Sequence, residues 1–214
     1  MIRRSLDSVR PGVAIYTEES PADVVSQFQD GSFTYALSTA RQTATAVPLN
    51  LVRFALPTFK TIEILYCDKP TGSWATGVKW VFFNGEAIWL EGPAIEWFEW
   101  ETREAIRRCH SILRRHRDAF RSDSPTPLVP TLQGGVFANA FPVPGKTVYT
   151  LYNSRHRTVR GDLLALPWEK GMTFEDAWQG KPAVVRRVRG SAVVSGEIGP
   201  NDVGCIVVNQ RPTR

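Results

Sequence analysis

The chain has 214 residues, of which 43% are apolar, 22% charged and 11% aromatic, and it carries a net charge of +5. That composition supports a substantial hydrophobic core and excludes a disordered chain, a collagen-like repeat and a disulfide scaffold. It also excludes a complete (β/α)8 barrel with a further domain attached, since the barrel alone takes roughly 250 residues. In chain order, RRSLDSV (3–9) reads as a short helix stopped by Pro11 and Gly12. VAIY (13–16) is a continuous apolar run, the pattern of a strand buried on both faces of a parallel sheet, and it ends abruptly in Thr17-Glu18-Glu19. LVRFAL (51–56), TIEILYC (61–67) and VKWVFF (78–83) also read as strands. The last two run straight into polar residues, Asp68 and Asn84-Gly85-Glu86 respectively.

Residues 94–121 carry apolar side chains at spacings of three and four, from Ile95 and Phe98 to Ala119 and Phe120, which predicts one long amphipathic helix. Glu99 with Arg103 and Glu104 with Arg108 stand i, i+4, acid first, the favourable order. The arginines at 107, 108, 114, 115 and 117 read as a solvated outer face rather than a nucleic-acid surface, because no aromatic side chains interleave them. SDSPTPLVPT (122–131) has the composition of a linker. Beyond it the period changes to two. GVFANAF, TVYTLYN, TVRGDLLAL, AVVRRVRG, SAVVSGEI and GCIVVNQ are short runs separated by turn signals, which predicts an antiparallel sandwich or barrel. The fold expected is therefore α/β plus all-β: a partial (β/α) barrel of three to four strand–helix units over 1–121, a linker over 122–131, and a β-sandwich over 132–214. The Pro-rich boundary further suggests that the sandwich folds by itself from about Ser124.

Charge is uneven. Residues 1–123 are neutral overall, with 15 basic and 15 acidic residues, and the whole excess of +5 lies in 124–214. An excess that modest over so long a stretch ranks nucleic acid last among the partners, with Arg186, Arg187 and Arg189 as the residues to watch. Cys67, Cys109 and Cys205 are far apart and odd in number, which points to free thiols rather than disulfides or a metal centre. No metal or other cofactor is expected. The basic start MIRRSLDSVRPG lacks the apolar core of a signal peptide, and no apolar run approaches the ~18 residues that cross a bilayer, so the expectation is a cytoplasmic chain with no membrane partner.

The sequence has no GxGxxG, P-loop, HExxH, GxSxG or zinc spacing. What remains is position. Active residues of βα folds sit at the carboxyl ends of strands, and two carboxylates facing one cleft are the minimum for cleaving a glycosidic bond. Glu18 and Asp30 are the candidate catalytic pair, and Tyr16, Glu19, Asp23, Arg53, Asp68, Trp80 and Glu86 the candidate substrate-binding residues. Aromatic rings near the same loops (Tyr16, Phe28, Phe33, Tyr35, Trp74, Trp80, Trp89) offer flat platforms for sugar faces. A carboxylate after a strand is as often a helix cap or a solvated loop residue.

The segments AIYTEESPADVVSQFQDGSFTY, LVRFALPTFKTIEIL, VKWVFFNGEAIWLEG, RRHRDAF and GVFANAF…KTVYTLYNSRHRTVRGDLLALP…FEDAW together resemble the C-terminal part of glycoside-hydrolase-like proteins, in which a catalytic (β/α) barrel precedes a β-sandwich. The resemblance implies that 1–121 supplies the last strand–helix units of a barrel, and that the end of Tyr16-Thr17-Glu18 and the Gln29-Asp30-Gly31 loop face a sugar. It implies a carbohydrate-active protein, with a non-catalytic carbohydrate-binding or scaffold fragment as the alternative. A part-barrel is expected to close against a second copy or another chain, because an open parallel sheet leaves an unpaired edge and apolar surface.

Overall fold

The computed structural model of the chain describes residues 2–18, 23–34, 48–66, 74–91 and 98–210. Helix α1 (Ile2–Val9) leads into strand β1 (Tyr16–Glu18), followed by a helical turn α2 (Asp23–Ser26) and β2 (Gly31–Thr34). Next come α3 (Leu51–Ala55), β3 (Lys60–Tyr66), α4 (Trp74–Phe83), β4 (Ala87–Glu91) and α5 (Trp100–Arg115). The four strands form one parallel sheet in the order β1-β2-β3-β4, so this part consists of successive strand–helix units of a (β/α) barrel.

Two runs that read as strands are helices. Residues 51–56 form α3 because Asn50 caps it, its Oδ1 accepting the Val52 N–H at 3.2 Å. Residues 78–83 end α4, and Val78, Val81, Phe82 and Phe83 are all fully buried. A helix packed on two sides is apolar all round, and its periodicity then resembles that of a buried strand. Gly85 ends α4 at φ +66°, where its N–H reaches the Phe82 carbonyl (2.9 Å). A Cβ at Gly85 would also lie 2.8 Å from ring atoms of Phe120 and Phe141.

Strand β1 differs from the sequence reading too. It covers Tyr16–Glu18 rather than residues 13–16, and it is not buried on both faces, since Ala14, Tyr16 and Glu18 are exposed; among the described residues it pairs with β2 alone. The long helix runs from Trp100 to Arg115, and a 3-10 turn (Ala119–Arg121) follows it. Its charge pairs also differ in detail. Glu104 holds Arg107 (2.7 Å), Arg108 stacks over the Trp178 ring, and Glu99 accepts from Thr102.

The β region contains strands β5 (Thr126–Val129), β6 (Val136–Val143), β7 (Lys146–Asn153), β8 (Val159–Pro167), β9 (Thr173–Asp176), β10 (Lys181–Pro182), β11 (Val184–Val188), β12 (Ser191–Ile198) and β13 (Asp202–Asn209). They form two antiparallel sheets, β10-β9-β13-β7-β6-β5 and β11-β12-β8. The stretch read as a linker contributes an edge strand, β5.

Alternation along the larger sheet explains how the two halves are joined. Val148, Tyr152, Val203, Cys205 and Val207 belong to one core cluster together with Val78, Phe82, Phe83, Ile106 and Cys109 of α4 and α5. Leu151, Ile206 and Val208, one residue out of step, pack instead with Leu163, Leu164 and Val194 of the smaller sheet. The larger sheet is thus sandwiched between helices and sheet. Polar contacts fasten the same junction: the Phe83 carbonyl accepts from Asn139 Nδ2 (2.9 Å) and Thr150 Oγ1 (2.6 Å), and Lys79 pairs with Asp202 at 3.0 Å. Cys109 and Cys205 are free thiols inside this core, both pushed up in pKa by burial, whereas Cys67 lies outside the described residues.

Several of the arginines singled out by sequence have intramolecular partners. Arg115 pairs with Glu175 (2.8 Å), Arg186 with Asp162, and Arg187 lies 3.7 Å over the Trp168 ring. Among the described residues no helix is long and apolar enough to cross a membrane, and no cluster of His, Cys, Asp and Glu is arranged to hold a metal ion.

Candidate functional site at the two ends of the parallel sheet

Parallel strands give the sheet two chemically distinct ends, and the candidate residues divide between them. Glu18 closes the carboxyl end of β1, opposite Phe33 of β2, and is exposed. Its side chain shares a face with Tyr16, two residues before it. On that face Tyr16 stacks on Phe33 (centroids 5.7 Å apart), and Phe33 meets Trp89 of β4 edge-on at 4.2 Å. Strands β2 and β4 flank β3 and so stand roughly 9.6 Å apart, two strand spacings. Rings that meet at 4.2 Å over that gap converge, so this face curves inward like the inside of a barrel. Tyr16 (38% exposed) and Trp89 (45%) remain open on it. Gly31 lets Tyr16 settle there, because a Cβ at Gly31 would run into the Lys60 carbonyl and the Tyr16 ring.

Glu19 and Asp68 lie outside the described residues, as do Tyr35 and Cys67. In sequence, 19–22, 35–47, 67–73 and 92–97 each follow the carboxyl end of one of the four strands. Asp23 opens α2.

Asp30 belongs to the opposite end. It immediately precedes β2, where its backbone links three strands: its N–H donates to the Ile15 carbonyl (2.9 Å), and its carbonyl accepts from Lys60 N–H (2.8 Å). Its Oδ2 accepts from Ile15 N–H (2.7 Å) and Arg3 Nη2 (2.5 Å), and these two contacts hold its pKa below the usual carboxylate value. Asp30 therefore does not face one cleft with Glu18; three residues of extended strand, on the order of 10 Å, separate their levels. Its task is to anchor α1 to the sheet. Asp30→Asn is expected to cost on the order of 1 kcal/mol of stability, read as a lower thermal midpoint, and to leave any glycoside turnover unchanged.

Arg53, Trp80 and Glu86 are also corrected. Trp80 sits on α4 and packs against the core cluster, so it is not a sugar platform. Arg53 on α3 is 1% exposed and Glu86, just before β4, is 2% exposed; both are at the amino end of the strands. Glu86 Oε1 accepts from Asn50 Nδ2 (2.5 Å) and from Thr61 Oγ1. Asn50 N–H in turn donates to Asn84 Oδ1 (2.8 Å), and Asn84 Nδ2 donates to the Pro48 and Trp80 carbonyls. This network ties α3, α4 and β4 together. Asn50, a capping residue type directly before an apolar run, is the signal that could have found it.

Desolvation pushes the Glu86 carboxyl up to about 8, against the hydrogen bond from Thr61 and with help from the neighbouring Glu63 charge. Between its ordinary value near 4.5 and about 8, the folded chain holds a proton that the unfolded chain has released. Stability therefore falls as pH rises through that window, by roughly 3 kcal/mol at pH 7. Glu86→Gln keeps an acceptor for Asn50 and Thr61 and removes the penalty. Its thermal midpoint should exceed that of the parent chain by a margin that widens from pH 5 to pH 8. Parallel pH profiles would show that Glu86 ionises freely in the fold.

The sequence matches no protein-family profile and no curated protein sequence. Solved structures do match it along nearly its whole length. An alpha-amylase from Anoxybacillus superposes with a TM-score of 0.62 at 13% identity, over 99% of this chain and 56% of that one. The fold is that of half an alpha-amylase. The alpha-amylase of Geobacillus thermoleovorans, complexed with acarbose, gives a TM-score of 0.64 at 11% identity over 98% of this chain and 56% of that one. A debranching enzyme from Nostoc punctiforme, soaked with acarbose, gives 0.61 at 11% identity over 97% and 53%. The chain thus spans about half the length of these alpha-amylase-type structures, as strand–helix units of their barrel followed by the β region.

Proposed function

We propose that the chain is a carbohydrate-active protein of glycoside-hydrolase type that engages α-glucans at the carboxyl end of its parallel sheet. The observation that carries this reading is the position of Glu18, at the carboxyl end of β1 and on the inward face with Tyr16, Phe33 and Trp89. The alpha-amylase-like fold supports it, and the acarbose complexes of two similar structures supply the sugar class. Glu18 acts as the proton donor to the glycosidic oxygen. The partner carboxylate on this reading is Asp68, which follows β3 by two residues in the sequence. Glu19 follows β1 in the sequence and Asp23 opens α2, and Tyr16 contributes an aromatic surface.

A second reading keeps the sugar site without turnover. The openness of Tyr16 and Trp89 favours it, because among the described residues β1 and β4 each pair with one strand only. In that reading further parallel strands, from a second copy or another chain, cover the inward face. A glycan array run beside a chromogenic glycoside screen separates the two. Binding with turnover supports the enzyme, binding alone supports the scaffold, and neither overturns both.

A further inference from the structure

The amino end of the parallel sheet holds a cavity of about 270 Å³, which the Tyr16 ring borders from the side of the sugar face. Arg53, Lys60, Arg117 and Arg121 line it, together with Glu86 and the Phe120 ring. Two of these residues are buried and incompletely satisfied. Arg53 donates through Nη2 to the Phe120 carbonyl (2.7 Å), but among the described residues its Nη1 has no hydrogen-bond partner. Glu86 Oε1 is taken by Asn50 and Thr61, and among the described residues its Oε2 has none. Burial keeps Glu86 protonated at neutral pH, and with Oε1 occupied the proton resides on Oε2. Two buried donors then border one cavity, and among the described residues neither has an acceptor. An unmet donor in such a place costs about 1–3 kcal/mol, and more when it is charged.

Charge points the same way. Lys60 gives one N–H to the Pro57 carbonyl (2.6 Å) and is pushed down to about 8, first by burial and then by the nearby Arg53 charge. Arg117 and Arg121 are exposed at the rim, and Asp123 near Lys60 is the opposing acid. Four cations against the Asp123 and Glu63 carboxylates leave the pocket net positive. A guanidinium with a free N–H, an ammonium and a carboxylic acid proton are all donors suited to the oxygens of a compact anion.

We propose that this cavity is a binding site for a phosphate group, seated between Arg53, Lys60 and Glu86 and closed by Arg117 and Arg121. The test is isothermal titration calorimetry of the full chain at pH 7 with inorganic phosphate, with sodium chloride as the ionic-strength-matched control and glucose 6-phosphate as a second arm. Saturable binding of phosphate beyond the chloride control is expected. It should weaken at least about tenfold in Arg117→Ser/Arg121→Ser, whose exposed positions spare the fold, and persist in the distant Arg186→Ser. Tighter binding of glucose 6-phosphate than of phosphate would mark a sugar-borne phosphate as the ligand, and weaker binding the free anion. Heats equal to those of chloride, or unchanged affinity in the double variant, would overturn the proposal.

Discussion

Replacing Glu18 by glutamine is expected to lower turnover on any glycoside the chain cleaves by roughly 10²–10⁴-fold, the loss typical of removing a positioned acid or base. The substitution is nearly isosteric, and Glu18 is an exposed residue at the end of a three-residue strand, so the fold should be unaffected. Glu19→Gln should do far less, because it is Glu18, two residues on from Tyr16 in the strand, that shares the face of Tyr16. The two variants are compared on the substrate that the glycoside screen identifies. Equal and small effects would reduce Glu18 to a solvated loop carboxylate. A loss in Glu18→Gln matched by a fall in thermal midpoint would make its role structural.

The β region on its own, from about Ser124, is expected to be unfolded or aggregated. The sequence boundary suggests autonomy, but the core crosses it. Removing α4 and α5 uncovers Phe141, Val148, Tyr152, Trp178, Val203, Cys205 and Val207, one entire face of the larger sheet. At about 1.5–3 kcal/mol for each large apolar side chain, the lost burial is on the order of 10 kcal/mol. That equals the whole stability of a typical domain, about 5–15 kcal/mol. The fragment should also lose the two hydrogen bonds to the Phe83 carbonyl and the Lys79–Asp202 pair. Circular dichroism with hydrophobic-dye binding reads this directly: weak cooperativity and strong dye binding are expected. A monomeric fragment that melts cooperatively and binds no dye would show that the smaller sheet alone sustains the core.

The β half was legible in the sequence because each of its strands faces two different environments. Period-two runs such as TVYTLYN and GCIVVNQ place Val148 and Val207 toward the helices and Leu151 and Ile206 toward the smaller sheet. The α/β half was less legible because its elements are short or buried all round. Helix α4 is enclosed by the parallel sheet, α5 and the larger antiparallel sheet, so VKWVFF carried no amphipathic signature. The position of Glu86 depends on this. After a strand over 78–83 it would follow a strand end, whereas behind helix α4 it precedes β4 and lies at the opposite end of the sheet. Asp30 was displaced similarly, since the segment between β1 and β2 is too short to show which strand its last residue serves. Glu18 kept its place because a strand running directly into acids needs no knowledge of its neighbours.

Sugar is expected to meet the carboxyl end of the parallel sheet, and backbone amide chemical-shift mapping tests this most directly. The uniformly ¹⁵N-labelled full chain, with assigned resonances, is titrated with maltoheptaose. Saturable shifts are expected at the amides of Thr17 and Glu18, Phe33 and Thr34, Leu65 and Tyr66, and Leu90 and Glu91, the carboxyl ends of β1 to β4. Shifts centred instead on Asp30, Lys60 and Glu86 at the amino end, or on β8, β11 and β12, or no shifts at saturating sugar, would contradict it.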